Sequence, residues 1–453
     1  MDDPPRHSKC QKLVAVLILL FINLLNKVDQ SAIAMLLIDI QKFFGVDGDG
    51  EMGLLQAVYI VLSTLCIPVF GYLGLRYKRK WIMVIGTLVG ALAGCASTFV
   101  AKESFWLFLL MRSVVAIGML VLFYITSPFG RGIGYIFGLQ MAKRLGGWQW
   151  GIWLIALLGV ASVILMVLFV FDPERKLSGS SNSTRKEDME NAPLKVKIKT
   201  YLYDLWALMK NYTYLFSTIA YTCIVFVTGS VLWWVPTAIQ HAKQIINNFR
   251  IALYFGAVTM VGEIVGVIMG SAFSTLLRNG KWCFKCCQTQ RSNPIISAVG
   301  ALIATPFLLG GLQLIRVSVE TSYIFIFVAI TGLCFNWTIN GDLLMTITVP
   351  WRRNSAKAWQ TLISHLFGDA LGPYLVGLLA DRISLSDSPR DLFDALLYAF
   401  YIPSALCGIS AFLFIIAAIT VIRDQARCLV EIGIDDRISS RKDVETKGNA
   451  NKL

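Results

Sequence analysis

The sequence predicts an all-α polytopic membrane protein, and three observations carry that reading. Of 453 residues, 56% are hydrophobic and 15% are charged, too few charges to cover a soluble body of this size. Mean hydropathy is +0.64, and eleven apolar segments approach the ~20 helical residues that cross about 30 Å of hydrocarbon. The net charge of +13 sits in short loops between those segments, as the positive-inside rule expects of a cytoplasmic face. This pattern excludes a soluble enzyme and a disordered chain. It also gives the basic excess a source other than nucleic-acid binding.

The segments are 13–37, 52–75, 81–101, 105–139, 150–171, 213–239, 250–277, 294–315, 321–349, 356–380 and 395–422. The first follows a basic start, and no small-residue cleavage site comes after it, so it reads as a membrane helix and not a leader. The 76–80 loop carries four positive charges, and the stretch 172–200 carries seven against five acids. Arg278, Lys281, Lys285 and Arg291 share one loop, and Arg352 and Arg353 another, whereas 38–52 holds a single Lys against Asp39, Asp47, Asp49 and Glu51. The N-terminus, the 76–80 loop, the 172–200 stretch and the C-terminus therefore face the cytosol. That assignment needs an even number of crossings before residue 172, but five clear segments precede it. Either 105–139 crosses twice or one element fails to cross. The second half supplies six crossings without difficulty.

The organisation that follows is a cytoplasmic tail (1–12), a first helical bundle (13–171), a cytoplasmic linker (172–212), a second bundle (213–422) and a cytoplasmic tail (423–453). Within the linker, 195–212 alternates lysines with Leu202, Leu205, Trp206 and Met209. It reads either as an amphipathic surface helix or as a flexible lead-in. The ten cysteines show no disulfide spacing. Cys283, Cys286 and Cys287 lack a fourth zinc ligand nearby and read as free or palmitoylated thiols, so no metal and no cofactor are expected.

Several polar residues fall inside apolar runs, where a charge is costly and marks function by default. They are Asp29 in Asn26-Lys27-Val28-Asp29-Gln30, Arg112, Glu263 beside the small-residue face Gly262, Gly266 and Gly270, and Asp342. His365 and Asp369 stand one helical turn apart, where a hydrogen bond would hold the imidazole in one tautomer. Each also has a plainer reading: an Arg snorkelling to the interface, a polar pair packing two helices, or a Glu paired with a neighbour.

Two six-helix bundles joined by a basic linker is the layout of the major facilitator transporters, whose halves rock about a midplane site. The stretch Gly71-Tyr72-Leu73-Gly74-Leu75-Arg76-Tyr77-Lys78-Arg79-Lys80 resembles that superfamily's loop between helices two and three, with Leu75 at the acid position. Arg112, Ala116 and Gly118 resemble its fourth-helix pattern. Phe226-Val227-Thr228-Gly229, Trp234-Val235-Pro236, Asn336-Trp337 and the run from Arg352 through His365, Asp369 and Gly372-Pro373-Tyr374 are similar to the spinster family of sphingolipid and lysophospholipid transporters, over about 20–422. Lys27 and Gln30 depart from its first-helix motif, and Arg131 interrupts its fifth-helix glycine ladder. After Gly118 the chain runs straight into 119–124, so about two dozen residues are absent relative to the family, roughly one span's worth. This accounts for the parity problem and implies a major facilitator fold with an incomplete fourth helix and 11–12 transmembrane segments.

The resemblance implies a transporter, not an enzyme, that moves a lipid by alternating access. It is expected to act as a monomer in the bilayer without nucleic acid, with protons as a possible coupling ion. The implied proton-coupling residues are Asp29, His365, Asp369, Asp342 and Glu263. The implied cavity residues are Asn26, Arg112, Tyr124, Thr228, Trp234, Asn336 and Trp337. Gly71, Gly74, Arg76, Arg79 and Lys80 would form the conformational-switch loop. Asp29 lacks the family's neighbouring Arg, and a carboxylate buried without a counter-charge holds its proton more readily. Arg112 is expected to face the cavity and suit a phosphate or zwitterionic head. The lysosomal or late endosomal membrane is implied ahead of the plasma membrane. A non-transporting paralogue or variant form, and a facilitator of another organic solute, stay open beside this reading.

Overall fold

The computed structural model describes residues 9–46, 48–118, 126–170, 203–243, 249–281, 285, 288–386 and 388–450. Side chains are left out at 9, 67–68, 71–72, 74–76, 79, 117 and from 434 onward. The described chain is helical. The first half holds α1 (Lys9–Met35), α2 (Leu37–Phe44), α3 (Asp49–Arg76), α4 (Arg79–Ser97), α5 (Phe105–Gly118), α6 (Ser127–Leu145) and α7 (Trp148–Phe169). The second holds α8 (Tyr212–Lys243), α9 (Phe249–Asn279), α10 (Ser292–Leu314), α11 (Val319–Cys334), α12 (Asn336–Ile347), α13 (Arg353–Ser364), a π-helical turn (His365–Ala370), α14 (Leu371–Ile383), α15 (Pro389–Ala399) and α16 (Tyr401–Ala450). Nine helices among the described residues are long and apolar enough to cross a membrane.

The segment 105–139 holds two helices, α5 and α6, and not one long one. α5 has 14 residues, or about 21 Å against the ~30 Å it would have to cross. Its outer end packs Phe105 and Phe108 with Phe44 and Trp148 in an aromatic cluster of edge-to-face and tilted ring contacts. Arg112 on α5 stands level with Asp29 on α1, and the described part of α5 reaches Gly118, six residues further in. Just before α6 begins, Thr126 Oγ1 accepts a 2.8 Å hydrogen bond from Asn23 Nδ2 of α1. Gly118 and the start of α6 therefore lie at about the depth of Asn23. From there α6 runs outward alongside α1, because Gly130, Gly134 and Gly138 present a bare face to Lys27, Val28 and Ala32. A Cβ on Gly134 would lie 2.5 Å from the Val28 carbonyl oxygen. Deeper toward the cytosol, the buried cluster Ile18, Ile22, Val84, Val163, Met166 and Val170 is built from α1, α4 and the end of α7.

In the second bundle the glycine face of α9 packs on α11, with Gly266 against Thr331 and Gly270 against Phe335. This leaves Glu263 on another face. At the cytoplasmic end, Asp424 of α16 accepts from the Thr213 backbone N–H at 2.9 Å and so caps α8. Residues 203–209 are helical and exposed at Tyr203 and Trp206. They are tied to the bundle by Arg352, whose Nε donates to Asp204 at 2.6 Å and whose Nη1 donates to Glu431 at 2.7 Å. The remainder of the linker, with Ser178 to Thr184, lies outside the described residues.

The bundles meet through their outer halves. α3 packs on α14, where Gly53 lies against Pro373 and Gly377 against the Asp49 carbonyl. At the outer rim the Asp381 carboxylate accepts the Asp49 and Gly50 backbone N–H groups at 2.6 and 2.7 Å, so a residue of one bundle caps a helix of the other. On the opposite side α6 packs on α9, with Gly132 and Gly256 so close that a Cβ on either would lie 2.8 Å from the other's carbonyl oxygen.

Candidate functional site

Polar side chains gather where the two bundles meet near mid-membrane. α1 contributes Asn26, Lys27, Asp29 and Gln30, one turn after Asn23, and each is placed by the glycine face of α6 that holds α1 close. Asp29 and Arg112 form a two-point ion pair buried to 4% and 3% side-chain exposure. This corrects the expectation of an uncompensated carboxylate: the partner comes from α5, not from the neighbouring position in α1. It also corrects the expectation of a free Arg112 head-group binder, because both of its terminal nitrogens are engaged by Asp29. Beside the pair, Tyr59 donates its hydroxyl to Asn26 Oδ1 at 2.6 Å.

A small cavity of about 40 Å³ opens next to this layer. It is bordered by Lys27, Gln30, Arg131, Tyr135, Trp233 and Asp369. Lys27 Nζ donates to Gln30 Oε1 at 3.2 Å. Arg131 of α6 makes an ion pair with Glu263 of α9 that bridges the bundles. Asp369 accepts from or shares a proton with His365 Nδ1 at 2.9 Å, and both are about one-quarter exposed. The pair sits in the π-helical turn, an element often found where a helix is bent to function. Gly229 of α8 lets the Asp369 side chain approach, since a Cβ there would lie 2.9 Å from Asp369 Oδ1.

Of the residues singled out in the sequence, Asn26, Asp29, Arg112, Glu263, His365 and Asp369 come together here. Asp342 does not. It is exposed at the cytoplasmic end of the second bundle, paired at 2.6 Å with Arg278 and bonded at 3.0 Å to Asn293. Trp234 is fully buried in the α8–α14 contact, its indole N–H donating to the Pro373 carbonyl at 2.8 Å. Its neighbour Trp233 borders the cavity instead. Thr228 is buried and bonded to the Ile224 carbonyl of its own helix. Asn336 is buried at the α11–α12 break, and Trp337 stacks edge-on against Tyr221. Tyr124, Cys283, Cys286 and Cys287 lie outside the described residues, as do the side chains of Arg76 and Arg79, while Gly71 and Gly74 fall in the last turns of α3. Lys80 Nζ donates to the Val167 carbonyl at 2.8 Å, at the cytoplasmic end of α7. Sequence reasoning noted Lys27, Gln30 and Arg131 as oddities without giving them a place in the site; their signal was a charge or amide inside an apolar run. Among the described residues no three His, Cys, Asp or Glu side chains stand close enough to hold a metal.

The chain resembles known proteins along most of its length. The family model of the Major Facilitator Superfamily matches residues 19–123 and 118–338, dividing where α5 ends. Protein spinster homolog 1 of Xenopus tropicalis is 32% identical over 487 aligned residues, covering 99% of this chain and 88% of that protein. That alignment is longer than the 453 residues of this chain, so the relative carries residues that this one lacks. The Homo sapiens protein of the same name is 33% identical, covering 95% of this chain and 87% of its own. Among solved structures, a bacterial homolog to the human lysosomal transporter Spinster, crystallised inward-facing and unoccupied, overlays with a TM-score of 0.75 at 16% identity, covering 92% of this chain and 99% of that one. The likeness to that structure extends to the fold. Two bundles of six, an outer seal and a polar layer between them, read with these relatives, make this chain a multi-pass membrane transporter that belongs to the spinster family of the major facilitator superfamily.

Proposed function

We propose that this transporter moves a lipid with one acyl or sphingoid chain, a lysophospholipid or sphingolipid, by alternating access, with protons as the coupling ion. The observation that carries the reading is the cavity at the bundle seam. It joins a charged end at Lys27 and Arg131 to aromatic and aliphatic walls such as Trp233 and Leu232, as an amphiphile with one polar head requires. The His365–Asp369 pair is the coupling candidate, because it is titratable, about one-quarter exposed, and borders that cavity through Asp369. Asp29 is a weaker one, since it is already neutralised by Arg112. The closed outer seal supports loading from the cytosolic side. The linker at 172–212 and both tails are assigned to the cytosol, and the lysosomal or late endosomal membrane is the proposed address.

The test is flux in proteoliposomes of the full chain, with fluorescent lysophosphatidylcholine or sphingosine 1-phosphate as cargo and an imposed pH gradient. Flux is expected to follow the gradient, and Asp369→Asn should remove that dependence while leaving exchange at equal pH. Gradient-independent flux in the native chain would remove protons from the reading. A second reading has its own support: the described α5 is 14 residues, about 21 Å against ~30 Å of hydrocarbon, and a carrier whose fourth helix is incomplete could bind lipid without moving it. Binding with no flux under any gradient would favour this non-transporting role.

A further inference from the structure

Lys27, Arg131 and Glu263 all lie inside apolar helices, and all three meet at the seam between the bundles. Arg131 is neutralised by Glu263 across the seam. Lys27 makes no ion pair among the described residues; its contact is the Gln30 amide oxygen, and the charges that act on it are Arg131, Asp369 and Glu263. Asp369 is itself held by His365. Trp233 is 3% exposed, borders the same cavity, and its indole N–H finds no acceptor among the described residues. The cavity thus has more donors than acceptors. An ammonium offers three N–H groups, a guanidinium five in a planar fork, and an indole one. A buried donor without an acceptor is costly, so such a site is built for something that brings acceptor oxygens.

We propose that Lys27, Arg131 and Trp233 bind the phosphate of a single-chain phosphorylated lipid, and that Glu263 is a tethered competitor that occupies Arg131 while the site is empty. The inference rests on the lipid-transport reading and names the head group for it. Arg112 cannot serve, because Asp29 engages its fork. The seam gives Glu263 its timing. Its ion pair with Arg131 spans α6 and α9, so it persists only while Gly132 and Gly256 are packed together. When those helices part, Arg131 and Lys27 stay together on the first bundle, and Glu263 leaves with the second. The phosphate then takes the place of the carboxylate, with charge-assisted hydrogen bonds of the same kind.

The experiment uses the purified full chain in nanodiscs, titrated with oleoyl lysophosphatidic acid, with uncharged monooleoylglycerol of the same chain, and with inorganic phosphate. Tryptophan fluorescence and the thermal midpoint are followed. The native chain is expected to bind the lysophosphatidic acid at least ~10-fold more tightly than the monoacylglycerol, as a close charge pair allows. Lys27→Met should bring that ratio within about 3-fold without weakening the uncharged lipid. Glu263→Gln should lower the thermal midpoint of the empty protein and tighten lysophosphatidic acid. Arg131→Gln alone strands Glu263, so Arg131→Gln with Glu263→Gln is the folded control, and it too should lose the phosphate preference. An unchanged ratio in both Lys27→Met and the double variant overturns the proposal, as does weaker phosphate-lipid binding in Glu263→Gln. Inorganic phosphate binding as tightly as the lipid overturns it in favour of a small-anion site. Equal affinity of the native chain for both lipids overturns this head-group assignment and leaves the lipid reading intact, whereas binding of neither lipid overturns the lipid reading itself.

Discussion

Asp29 and Arg112 sit 83 residues apart in the chain and share one buried ion pair. Removing one partner leaves the other charged and out of water, a loss of about 3–5 kcal/mol, whereas removing both together is often close to neutral. Arg112→Met should therefore sharply lower the thermal midpoint in detergent, and Arg112→Met with Asp29→Leu should recover most of it. A single variant as stable as the native chain would show that the pair carries no structural weight. Both residues were visible in the sequence as charges within apolar runs. Their pairing was not, because spacing along one chain says nothing about which helix lies opposite. The same limit hid the Arg131–Glu263 bond, whose partners are 132 residues apart. It also turned attention to Trp234 in place of Trp233: adjacent residues on a helix point about 100° apart, and hydrophobicity alone does not say which of two tryptophans meets the cavity.

The outer rim works through the start of α3. Asp381 caps that helix from the other bundle, and the apolar stretch of α3 begins only at 52, so the Asp49 carboxyl lies at the outer end, beyond the membrane-spanning part. Burial, and then the Asp381 carboxylate beside it, push the Asp49 carboxyl up to about 7, with a hydrogen bond from Gln41 acting the other way. The sign is set by which state holds the proton. The sealed rim raises the pKa, so its advantage is full below the ordinary carboxylate range and is lost progressively as pH rises from there through about 7. Spin labels on α2 and α15 should report a sealed rim in acid and a separation that grows up to neutrality and levels off above it, and Asp49→Asn should flatten the profile. A native profile that does not change with pH would rule the rim out as a pH-sensitive contact. The helices themselves were legible from length and hydropathy. Their interruptions were less so: α11 gives way to α12 at Phe335 with no proline or glycine to mark it, and α2 forms in a stretch whose acids and glycines read as a loop. α2 exists because Leu37, Ile38, Ile40 and Phe44 are buried, a tertiary cause.

At the scale of the molecule, sidedness counted from charged loops raised a parity problem before residue 172, which left 105–139 either crossing twice or holding an element that fails to cross. The family's spacing then placed the absent residues after Gly118, and the described end of α5 and the start of α6 lie at one depth. α5, with 14 residues or about 21 Å, is shorter than the 23-residue α10. Hydrogen exchange should accordingly be faster in α5 than in α10. An epitope placed in 178–184 should be reached only from the cytosol. A luminal or extracellular epitope would contradict the six-plus-six count.

The Asp381 cap on α3 also bears on how the two bundles can separate. It joins them through hydrogen bonds from one carboxylate to two backbone N–H groups, so the rim can unlatch and relatch without breaking a covalent bond. Asp381→Ala should leave that latch undone, read as faster labelling of a cysteine placed at Gly48 by a membrane-impermeant thiol reagent.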